Sequence, residues 1–392
     1  MFAGTEHGLV EAVDAATGGL VWERRLGSVQ TDCYDMPGDR FGMSGTPVLD
    51  LRRHLLYVVG SSRSGVAMHA LDLASGREPA QWPVPLSTDS RHMHVWGALA
   101  LFRGTVYAGF AGMCDLPPYY GKVLAVDTRS ASISAVWYAV REHGFPVGGG
   151  GVWGYGGVAV GRSEGSVYAA TGNALPPAPQ GQPHGESVVR LTRRLVPVAA
   201  NGPSPNGEDV DFGATPMLFR RRGCPAELVV ANKGGALFLY DRDRITAGPL
   251  QRIQVAQNVP GGLGLMIGVA AYSPMTQMVY LSDPGPDRSP YRHGLVAFRV
   301  GGDCRLHPAW QQTVGLDGGT TVSSPAVAGG VVYYGNGSDG RVFAFDARTG
   351  RELWTSGRSI GGPVYAAPVV VNGLLLVTSW DDDDGVLWAF AR

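Results

Sequence analysis

One sequence unit recurs along the chain and strongly constrains its fold. Its clearest copy, SSPAVAGGVVYYGNGSDGRVFAFDARTGRELW, runs from Ser323 to Trp354. Short segments of alternating apolar and polar residues lie between clusters of glycine, asparagine and aspartate. This pattern predicts antiparallel strands joined by tight turns. A four-stranded sheet cannot bury both of its faces alone, so consecutive sheets must pack against one another.

Copies of the unit occur in GLVEAVDAATGGLVW (8–22), VAMHALDLASGREPAQW (66–82) and KVLAVDTRSASISAVW (122–137), and more loosely in ALFLYDRDRITAGPL (236–250) and LVAFRVGGDCRLHPAW (295–310). We place the starts of the units near residues 1, 42, 95, 150, 211, 265, 320 and 363. Their spacing, about 49 residues, is in the range of four-stranded propeller blades. The sequence therefore predicts an all-β fold with almost no helix. We expect an eight-bladed β-propeller of four-stranded antiparallel blades, as a single domain over residues 1–392.

The two ends of the chain do not coincide with the ends of a unit. Met1 begins on the second strand of a unit, and Arg392 ends a third strand. We therefore expect N-terminal strands upstream of residue 1 that are outside this chain. The first residues, MFAGTEHGLV, have neither the basic nor the apolar region of a signal peptide, which we expect in the same upstream segment.

Two residue types recur at fixed places in the unit. Aspartates occur at one turn, where they accept hydrogen bonds from backbone N–H groups two residues further on, so we interpret them as structural. Tryptophans end the units, where a large flat side chain can wedge between neighbouring sheets. The aspartates are Asp14, Asp72, Asp127, Asp241 and Asp346, and the tryptophans are Trp22, Trp82, Trp137, Trp310 and Trp354.

Composition excludes several classes of function. Charged residues make up 17% of the chain and the formal net charge is -1, which argues against nucleic acid as a partner. No apolar run reaches the ~18 residues of a membrane span. The four cysteines form no CxxC or CxxCH motif, so zinc ribbons and attached haem are excluded, and disulfide pairing stays open.

The segments AVDAATGGLVW and AFDARTGRELW fit the pattern AxDxxTGxxxW. This pattern resembles the tryptophan-docking repeat of the PQQ-like, or quinoprotein alcohol dehydrogenase-like, superfamily. Members bind pyrroloquinoline quinone (PQQ) or are propellers of the same build without it. The resemblance covers essentially the whole chain, and it implies the fold more than the chemistry.

Longer segments resemble the quinone site of that superfamily. GGGGVWGYGGVAV…GSVYAATGN (148–173) is similar to the stretch that supplies a quinone-stacking tryptophan and a calcium-binding asparagine, which implies these roles for Trp153 and Asn173. ANKGGALFLYDRDRI (231–245) resembles the strand whose basic residue contacts the quinone, here Lys233. VDFGATPMLF (210–219) is similar to a D-x-G-x-S-P segment of polyvinyl-alcohol dehydrogenases.

Two further positions depart from the superfamily pattern. VYAGFAGMCDLPPYYGKVLAVD (106–127) resembles the blade with a calcium-binding glutamate, and Asp115 is the best counterpart, one residue out of register. The aspartate that serves as catalytic base is missing from ALPPAPQGQPHGESVVRLT (174–192). Glu186 is the only carboxylate there and His184 the only other base, so Glu186 becomes the candidate base. The vicinal cysteine pair of many alcohol-oxidising members is absent as well.

Each candidate also has a structural interpretation. Trp153 could pack between blades, Asn173 could occupy a left-handed turn, Lys233 could be a solvated strand end and Asp115 an ordinary loop carboxylate. The acidic run 381–384 is interpreted as an exposed loop. In HMHVW, His92 and His94 could bind a transition metal with Trp96 nearby, but two histidines are a weak signal.

The resemblance implies a PQQ-binding, dehydrogenase-like protein. On this hypothesis it oxidises an alcohol or polyol with calcium as Lewis acid, and it passes electrons to an external acceptor. One alternative is a non-catalytic binding or scaffold propeller, similar to outer-membrane assembly lipoproteins. Another is an enzyme that uses the axial pocket without quinone. We expect an extracytoplasmic location, either periplasmic or secreted.

Overall fold

Thirty-three short strands, β1 to β33 in chain order, form the regular structure of a computed structural model. The structure describes residues 1–31, 33, 40–140, 148–175, 184–203, 210–256, 268–284, 291–314, 323–337, 340–381 and 384–391. The one helical segment among these residues is the 3-10 turn Ile245–Ala247. None of the described residues form a helix long and apolar enough to cross a membrane.

The first compact unit, Met1–Gly202, contains four sheets and a two-stranded ribbon. Sheet 1 consists of β1 (Phe2–Gly4), β2 (Leu9–Val13) and β3 (Leu20–Arg25), and the ribbon of β4 (Val29–Gln30) and β5 (Arg40–Phe41). Sheet 2 consists of β6 (Val48–Asp50), β7 (Leu55–Ser62), β8 (Gly65–Asp72) and β9 (Val84–Ser87). Sheet 3 consists of β10 (Met93–His94), β11 (Ala100–Phe102), β12 (Thr105–Gly112), β13 (Lys122–Asp127) and β14 (Ser132–Tyr138). Sheet 4 consists of β15 (Ala159–Val160), β16 (Val167–Ala170), β17 (Val188–Leu191) and β18 (Pro197–Asn201).

The second compact unit, Pro203–Arg392, contains the other four sheets. Sheet 5 consists of β19 (Met217–Phe219), β20 (Glu227–Ala231), β21 (Ala236–Asp241) and β22 (Gln251–Gln254). Sheet 6 consists of β23 (Ala271–Ser273), β24 (Met278–Asp283), β25 (Gly294–Val300) and β26 (Leu306–Thr313). Sheet 7 consists of β27 (Ala326–Ala328), β28 (Val331–Gly335), β29 (Val342–Asp346) and β30 (Glu352–Thr355). Sheet 8 consists of β31 (Val369–Val371), β32 (Leu374–Asp381) and β33 (Asp384–Ala391).

The predicted fold class is confirmed: the chain is an all-β, eight-bladed propeller with antiparallel blades. Every pair of neighbouring strands is antiparallel, and five of the eight sheets have four strands in simple sequence order. Among the described residues, sheets 1 and 8 have three strands each, and sheet 3 has five because β10 and β11 both pair with β12.

Antiparallel order places particular loops at the same end of each sheet. In a four-stranded sheet, the loop from the second to the third strand and the loop to the next sheet leave from one end, which we call the loop end. The repeat aspartates lie at the opposite end. There Asp346 accepts hydrogen bonds from the N–H groups of Arg348 (3.0 Å) and Thr349 (2.8 Å), as the sequence predicts.

Apolar side chains from both faces of the middle strands form cores between consecutive sheets. Tyr107, Val123 and Trp137 of sheet 3 pack with apolar residues of sheet 4, while Phe110 on the opposite face packs toward sheet 2. The middle strands of sheet 3 are apolar on both faces because sheets 2 and 4 cover it on two sides.

The repeat tryptophans Trp22 and Trp310 contact the turn of the following sheet. Trp22 Nε1 donates to the Leu73 carbonyl at 3.0 Å, and Trp310 Nε1 donates to the Ala347 carbonyl at 3.3 Å. A glycine lies against each ring. A Cβ on Gly76 or Gly350 would come within 2.7 Å of ring carbons of Trp22 or Trp310, and both glycines have positive φ.

Two disulfides answer the pairing question that the sequence left open. Cys33 pairs with Cys114, and Cys224 pairs with Cys304, with Cα separations of 5.5 and 5.6 Å. The second disulfide joins the β19–β20 turn of sheet 5 to the β25–β26 turn of sheet 6. Two disulfides in one chain are typical of an oxidising, extracytoplasmic environment.

A buried carboxylate lies near the Cys224–Cys304 disulfide. Glu227 opens β20 and is fully buried, and its carboxylate makes no hydrogen bond to any described residue. Burial raises the pKa of Glu227 to about 7; Asp241 adds to this, while Arg305 and Arg221 oppose it. The protonated form is therefore favoured in the folded protein.

We predict that G350A destabilises the protein more than G373A does. Both glycines have positive φ, 76° and 79°, but only Gly350 lies against a side chain, since no atom is within 4 Å of a Cβ at Gly373. Each substitution costs about 1 kcal/mol for the left-handed backbone. G350A costs roughly 1–3 kcal/mol more because the new methyl group meets Trp310. Urea unfolding measures the difference, and equal costs would contradict the contact.

We also predict that Glu227 makes the protein less stable as pH rises from about 4.5 to about 7. In this window the unfolded chain releases the Glu227 proton while the folded chain keeps it. E227Q mimics the protonated acid, so it flattens this dependence and stabilises the protein at pH 8 by roughly 3 kcal/mol at most. Thermal unfolding at several pH values measures this, with the exposed Glu352→Gln as control. An unchanged pH dependence in E227Q would refute the assignment.

Candidate functional site

The predicted site residues all lie at the loop ends of their sheets. Asp115 lies between β12 and β13, Trp153 between β14 and β15, and Asn173 and Glu186 between β16 and β17. Lys233 lies between β20 and β21 of the second unit. The first unit therefore contains four of the five predicted residues.

The glycine-rich segment before Trp153 lies between the ends of β12 and β16. Val152 N–H donates to the Phe110 carbonyl at 2.9 Å, and Gly150 N–H donates to the Asn173 carbonyl at 2.6 Å. In the reverse direction, Gly172 N–H donates to the Gly151 carbonyl at 2.7 Å. These bonds fix the backbone that leads to Trp153 on both sides.

The glycines are required by this close packing of backbone. Gly149 has φ +86°, and a Cβ there would overlap the Asn173 carbonyl oxygen. A Cβ on Gly151 would lie 2.9 Å from the Ala111 Cβ. Protein atoms occupy the space beside these residues, so the segment is a rigid support and not a flexible linker. Trp153 follows it as a half-buried side chain.

Hydrogen bonds bring the Glu186 segment to the same place. Glu186 N–H donates to the Gly172 carbonyl at 2.9 Å, next to Asn173. The Thr171 hydroxyl donates to the His184 carbonyl at 2.6 Å and accepts from Ser187 N–H at 2.9 Å. Thr171 is fully buried and was not singled out in the sequence, although the TGN motif contains it.

The backbone and electrostatics of this segment are unusual. His184 and Glu186 have φ values of 77° and 50°, in the left-handed region that non-glycine residues rarely adopt. Burial raises the pKa of Glu186 and lowers the pKa of His184. Both shifts favour the neutral side chains. The His184 ring also lies 5.7 Å from the Trp137 ring.

Asp115 has a different environment. It is exposed, it has φ +52°, and it follows Cys114 of a disulfide. Its carboxylate accepts a 2.5 Å hydrogen bond from the Tyr119 hydroxyl. Within the described part of the chain, no three His, Cys, Asp or Glu side chains come together to hold a metal ion.

Lys233 is not a solvated strand end. Its Nζ lies 3.1 Å from Asp211 Oδ1, and the two side chains are only 13% and 3% exposed. The Lys233 N–H also donates to the Asp211 carbonyl at 2.9 Å. The resemblance singled out the segment that contains Asp211, but sequence reasoning gave that carboxylate no partner.

The sequence offered two other places where a metal ion could bind, the histidines of HMHVW and the acidic run 381–384. His92 Nδ1 lies 2.9 Å from Asp89 Oδ2, whereas His94 is buried with its ring against Phe41 and Trp96. Burial lowers the pKa of His94 well below its usual value. The run 381–384 lies partly outside the described residues.

The residues around Trp153 fit the cofactors that the sequence implies. Asn173 and Glu186 offer amide and carboxylate oxygens, the donor types that calcium prefers, and Asn173 Oδ1 is shielded from solvent. The half-buried Trp153 offers an indole face for a flat ring system. Asp115 is exposed and accepts a hydrogen bond from Tyr119, and its role in calcium binding stays a prediction.

We predict that K233M destabilises the protein by about 3 kcal/mol, because it leaves the Asp211 charge buried without its partner. The double variant D211N/K233M removes both charges and is expected to recover most of this loss. Chemical denaturation of K233M, D211N and the double variant measures the coupling. A double variant as unstable as the sum of both single variants would contradict a direct ion pair.

Comparison with known proteins extends the fold evidence. The chain resembles the crystal structure of quinohemoprotein alcohol dehydrogenase from Comamonas testosteroni at 19% identity and TM-score 0.67, covering 97% of this chain and 68% of that one. It resembles a europium-containing methanol dehydrogenase at 16% identity and TM-score 0.70, with coverages of 95% and 78%. It also resembles BamB from Moraxella catarrhalis at 16% identity and TM-score 0.62, with coverages of 100% and 91%.

These identities show a shared fold and leave the chemistry open. No curated protein matches the sequence. A family model described as outer membrane protein assembly factor BamB matches residues 1–139 and 307–392, which together are more than half of the chain. The chain therefore belongs to this family of PQQ-like β-propellers.

Proposed function

We propose that this chain is an extracytoplasmic, quinoprotein-like dehydrogenase that oxidises an alcohol or polyol with PQQ and calcium. One observation carries the proposal: hydrogen bonds join the segments of Trp153, Asn173 and Glu186 at the loop ends of sheets 3 and 4. Similar structures include alcohol and methanol dehydrogenases. The two disulfides support an extracytoplasmic location.

In this proposal Trp153 binds and orients the cofactor. Its indole forms a flat platform, and the hydrogen-bonded segment 148–152 limits the movement of that platform. Asn173 would supply an amide oxygen ligand to calcium beside it. Trp153 would hold PQQ and Asn173 would hold calcium, and these groups would supply a hydride acceptor and a Lewis acid for oxidation of the alcohol.

Glu186 is the proposed proton acceptor. Burial raises the pKa of its carboxyl group, which makes the ionised form a stronger base toward an alcohol hydroxyl. This role fixes the direction in which turnover changes with pH. Turnover requires the carboxylate, so it should rise with pH through a value above 4.5, the ordinary pKa of glutamate.

The predicted roles of Lys233 and Asp115 are proposed in addition to those of the residues around Trp153. Lys233 belongs to the second unit, and its predicted contact with the quinone would stabilise negative charge on reduction. Its pairing with Asp211 would weaken that effect by partly neutralising the ammonium group. Calcium binding by Asp115 would require the carboxylate to release the Tyr119 hydroxyl.

A non-catalytic binding propeller is the second candidate. The family model is described as the assembly factor BamB, and a BamB structure is covered over 91% of its length. Residues 174–192 contain Glu186 in place of an aspartate, which also favours this candidate. It predicts no turnover with any alcohol, whatever the protein binds.

Reconstitution distinguishes the two candidates. The oxidised protein is incubated with PQQ and calcium, and the absorbance of bound quinone and dye-linked oxidation of ethanol or glycerol are measured. W153A should weaken PQQ binding at least about ten-fold through loss of stacking, while W354F, at a half-exposed tryptophan of sheet 7, should leave it unchanged. E186Q should keep PQQ binding and lose about a hundred-fold or more of turnover.

The results distinguish failure of the proposed PQQ site from failure of the proposed dehydrogenase activity. Absence of PQQ binding by the wild-type protein, or equal binding by W153A, would refute the proposed site. PQQ binding without oxidation of any alcohol would reject the dehydrogenase and favour the binding propeller.

A further inference from the structure

The chain contains only two lysines, Lys122 and Lys233, among its 32 basic Lys and Arg residues. Arginine supplies nearly all of the positive side chains. Both lysines lie at loop ends: Lys122 opens β13 of sheet 3, and Lys233 precedes β21 of sheet 5. Both are also largely buried. An arginine cannot lose its proton in a protein, whereas a buried lysine can, so these two positions differ chemically from every other basic position.

Lys122 lies in an apolar environment. It is 8% exposed, and its Nζ lies 4.7 Å from the centre of the Phe110 ring. The strand register places Lys122 opposite Phe110 on one side and Tyr138 on the other, so the three side chains share one face of sheet 3. Nζ makes no hydrogen bond or ion pair with any residue that the structure describes.

The negative charge of Asp89 does not offset the effect of burial on the pKa of Lys122. Burial lowers the pKa of Lys122, and the opposing influence of Asp89 is smaller. Asp89 is occupied by other groups, because its carboxylate accepts hydrogen bonds from the backbone N–H groups of Arg91 and His92 and pairs with His92 Nδ1. More of the Lys122 amine is therefore unprotonated near neutral pH than for a solvated lysine.

Lys233 provides an internal comparison. It is buried to a similar degree, but its Nζ is held 3.1 Å from the Asp211 carboxylate. An adjacent negative charge stabilises the ammonium form, which is not nucleophilic. The two lysines thus share a position in their sheets and differ in the presence of a counter-charge.

We propose that Lys122 is a reactive-amine site that binds small carbonyl compounds covalently as an imine. The neutral Nζ attacks the carbonyl carbon and forms a C–N bond. The carbonyl oxygen leaves as water, with one proton from the amine and one from solvent, and no electrons are gained or lost. The face of Phe110 stabilises the resulting iminium cation as it does the ammonium group. Apolar neighbours favour a small aliphatic aldehyde over a charged one. This inference does not depend on the proposed dehydrogenase.

Reductive trapping tests the site in the native chain. The protein is treated at pH 7 with limiting acetaldehyde and sodium cyanoborohydride, whose hydride reduces the imine to a stable secondary amine. Peptide mass spectrometry then follows the three amines: Lys122, Lys233 and the N-terminal amine. Lys122 should be labelled at least about ten-fold faster than Lys233, because the Asp211 pair keeps Lys233 protonated. K122R should remove the Lys122 label and leave the other two unchanged.

The charge at Asp89 provides a second, directional test. Asp89 raises the pKa of Lys122, so D89N should increase the labelling rate of Lys122 at pH 7 and move its pH–rate profile to lower pH. D303N, which removes an exposed carboxylate in the β25–β26 turn of sheet 6, is the matched control. Labelling of Lys122 no faster than Lys233, or only after denaturation, would overturn the proposal. This comparison of labelling rates does not require a stable K122R variant, since both lysines are measured in the wild-type protein.

Discussion

Each sheet of this protein depends on its neighbours for burial, and the Trp–glycine contacts show how this packing is specified. The indoles of Trp22 and Trp310 reach a backbone carbonyl and a positive-φ glycine in the next sheet. The glycine is needed for two independent reasons, the turn conformation and the space taken by the ring. Because the same turn is held by an aspartate, one short sequence determines both the turn and the surface onto which the preceding sheet packs.

Five of the eight sheets have a repeat aspartate at one end, and the candidate site residues lie at the opposite, loop end. There the glycine segment 148–152 replaces side-chain packing with backbone hydrogen bonds to β12 and to the residues after β16. Such bonds hold a loop more rigidly than exposed side chains can, so Trp153, Asn173 and Glu186 are fixed relative to one another although none lies in a strand. The proposed site is built on loops, and these backbone hydrogen bonds would give it the positional precision that strands usually supply.

Much of the fold could be predicted from the sequence because its determinants are local. Strand alternation, the aspartate turns and the unit spacing each depend on residues within a few positions of one another. The disulfide pairing and the Lys233–Asp211 pair could not be predicted, because their partners meet only after folding. At Gly149 and Gly151, backbone and Ala111 occupy the space where a side chain would lie, which the sequence could not show because these atoms come from other segments. Asp115 illustrates the same limit, since its hydrogen bond to Tyr119 depends on the course of the loop.

The buried ionisable residues differ in whether a neighbouring charge offsets the effect of burial. In the second unit, Lys233 is matched by Asp211, and Glu227 has arginines nearby that only partly oppose the effect of its burial. In the first unit, the buried Lys122 and the half-buried Glu186 have pKa values shifted toward the neutral form. A fold that needs only packed strands gains nothing from such groups, because each neutral form is retained at a cost in free energy. In the proposed roles of Lys122 and Glu186, this free energy is the cost of keeping two reactive groups close to their neutral forms.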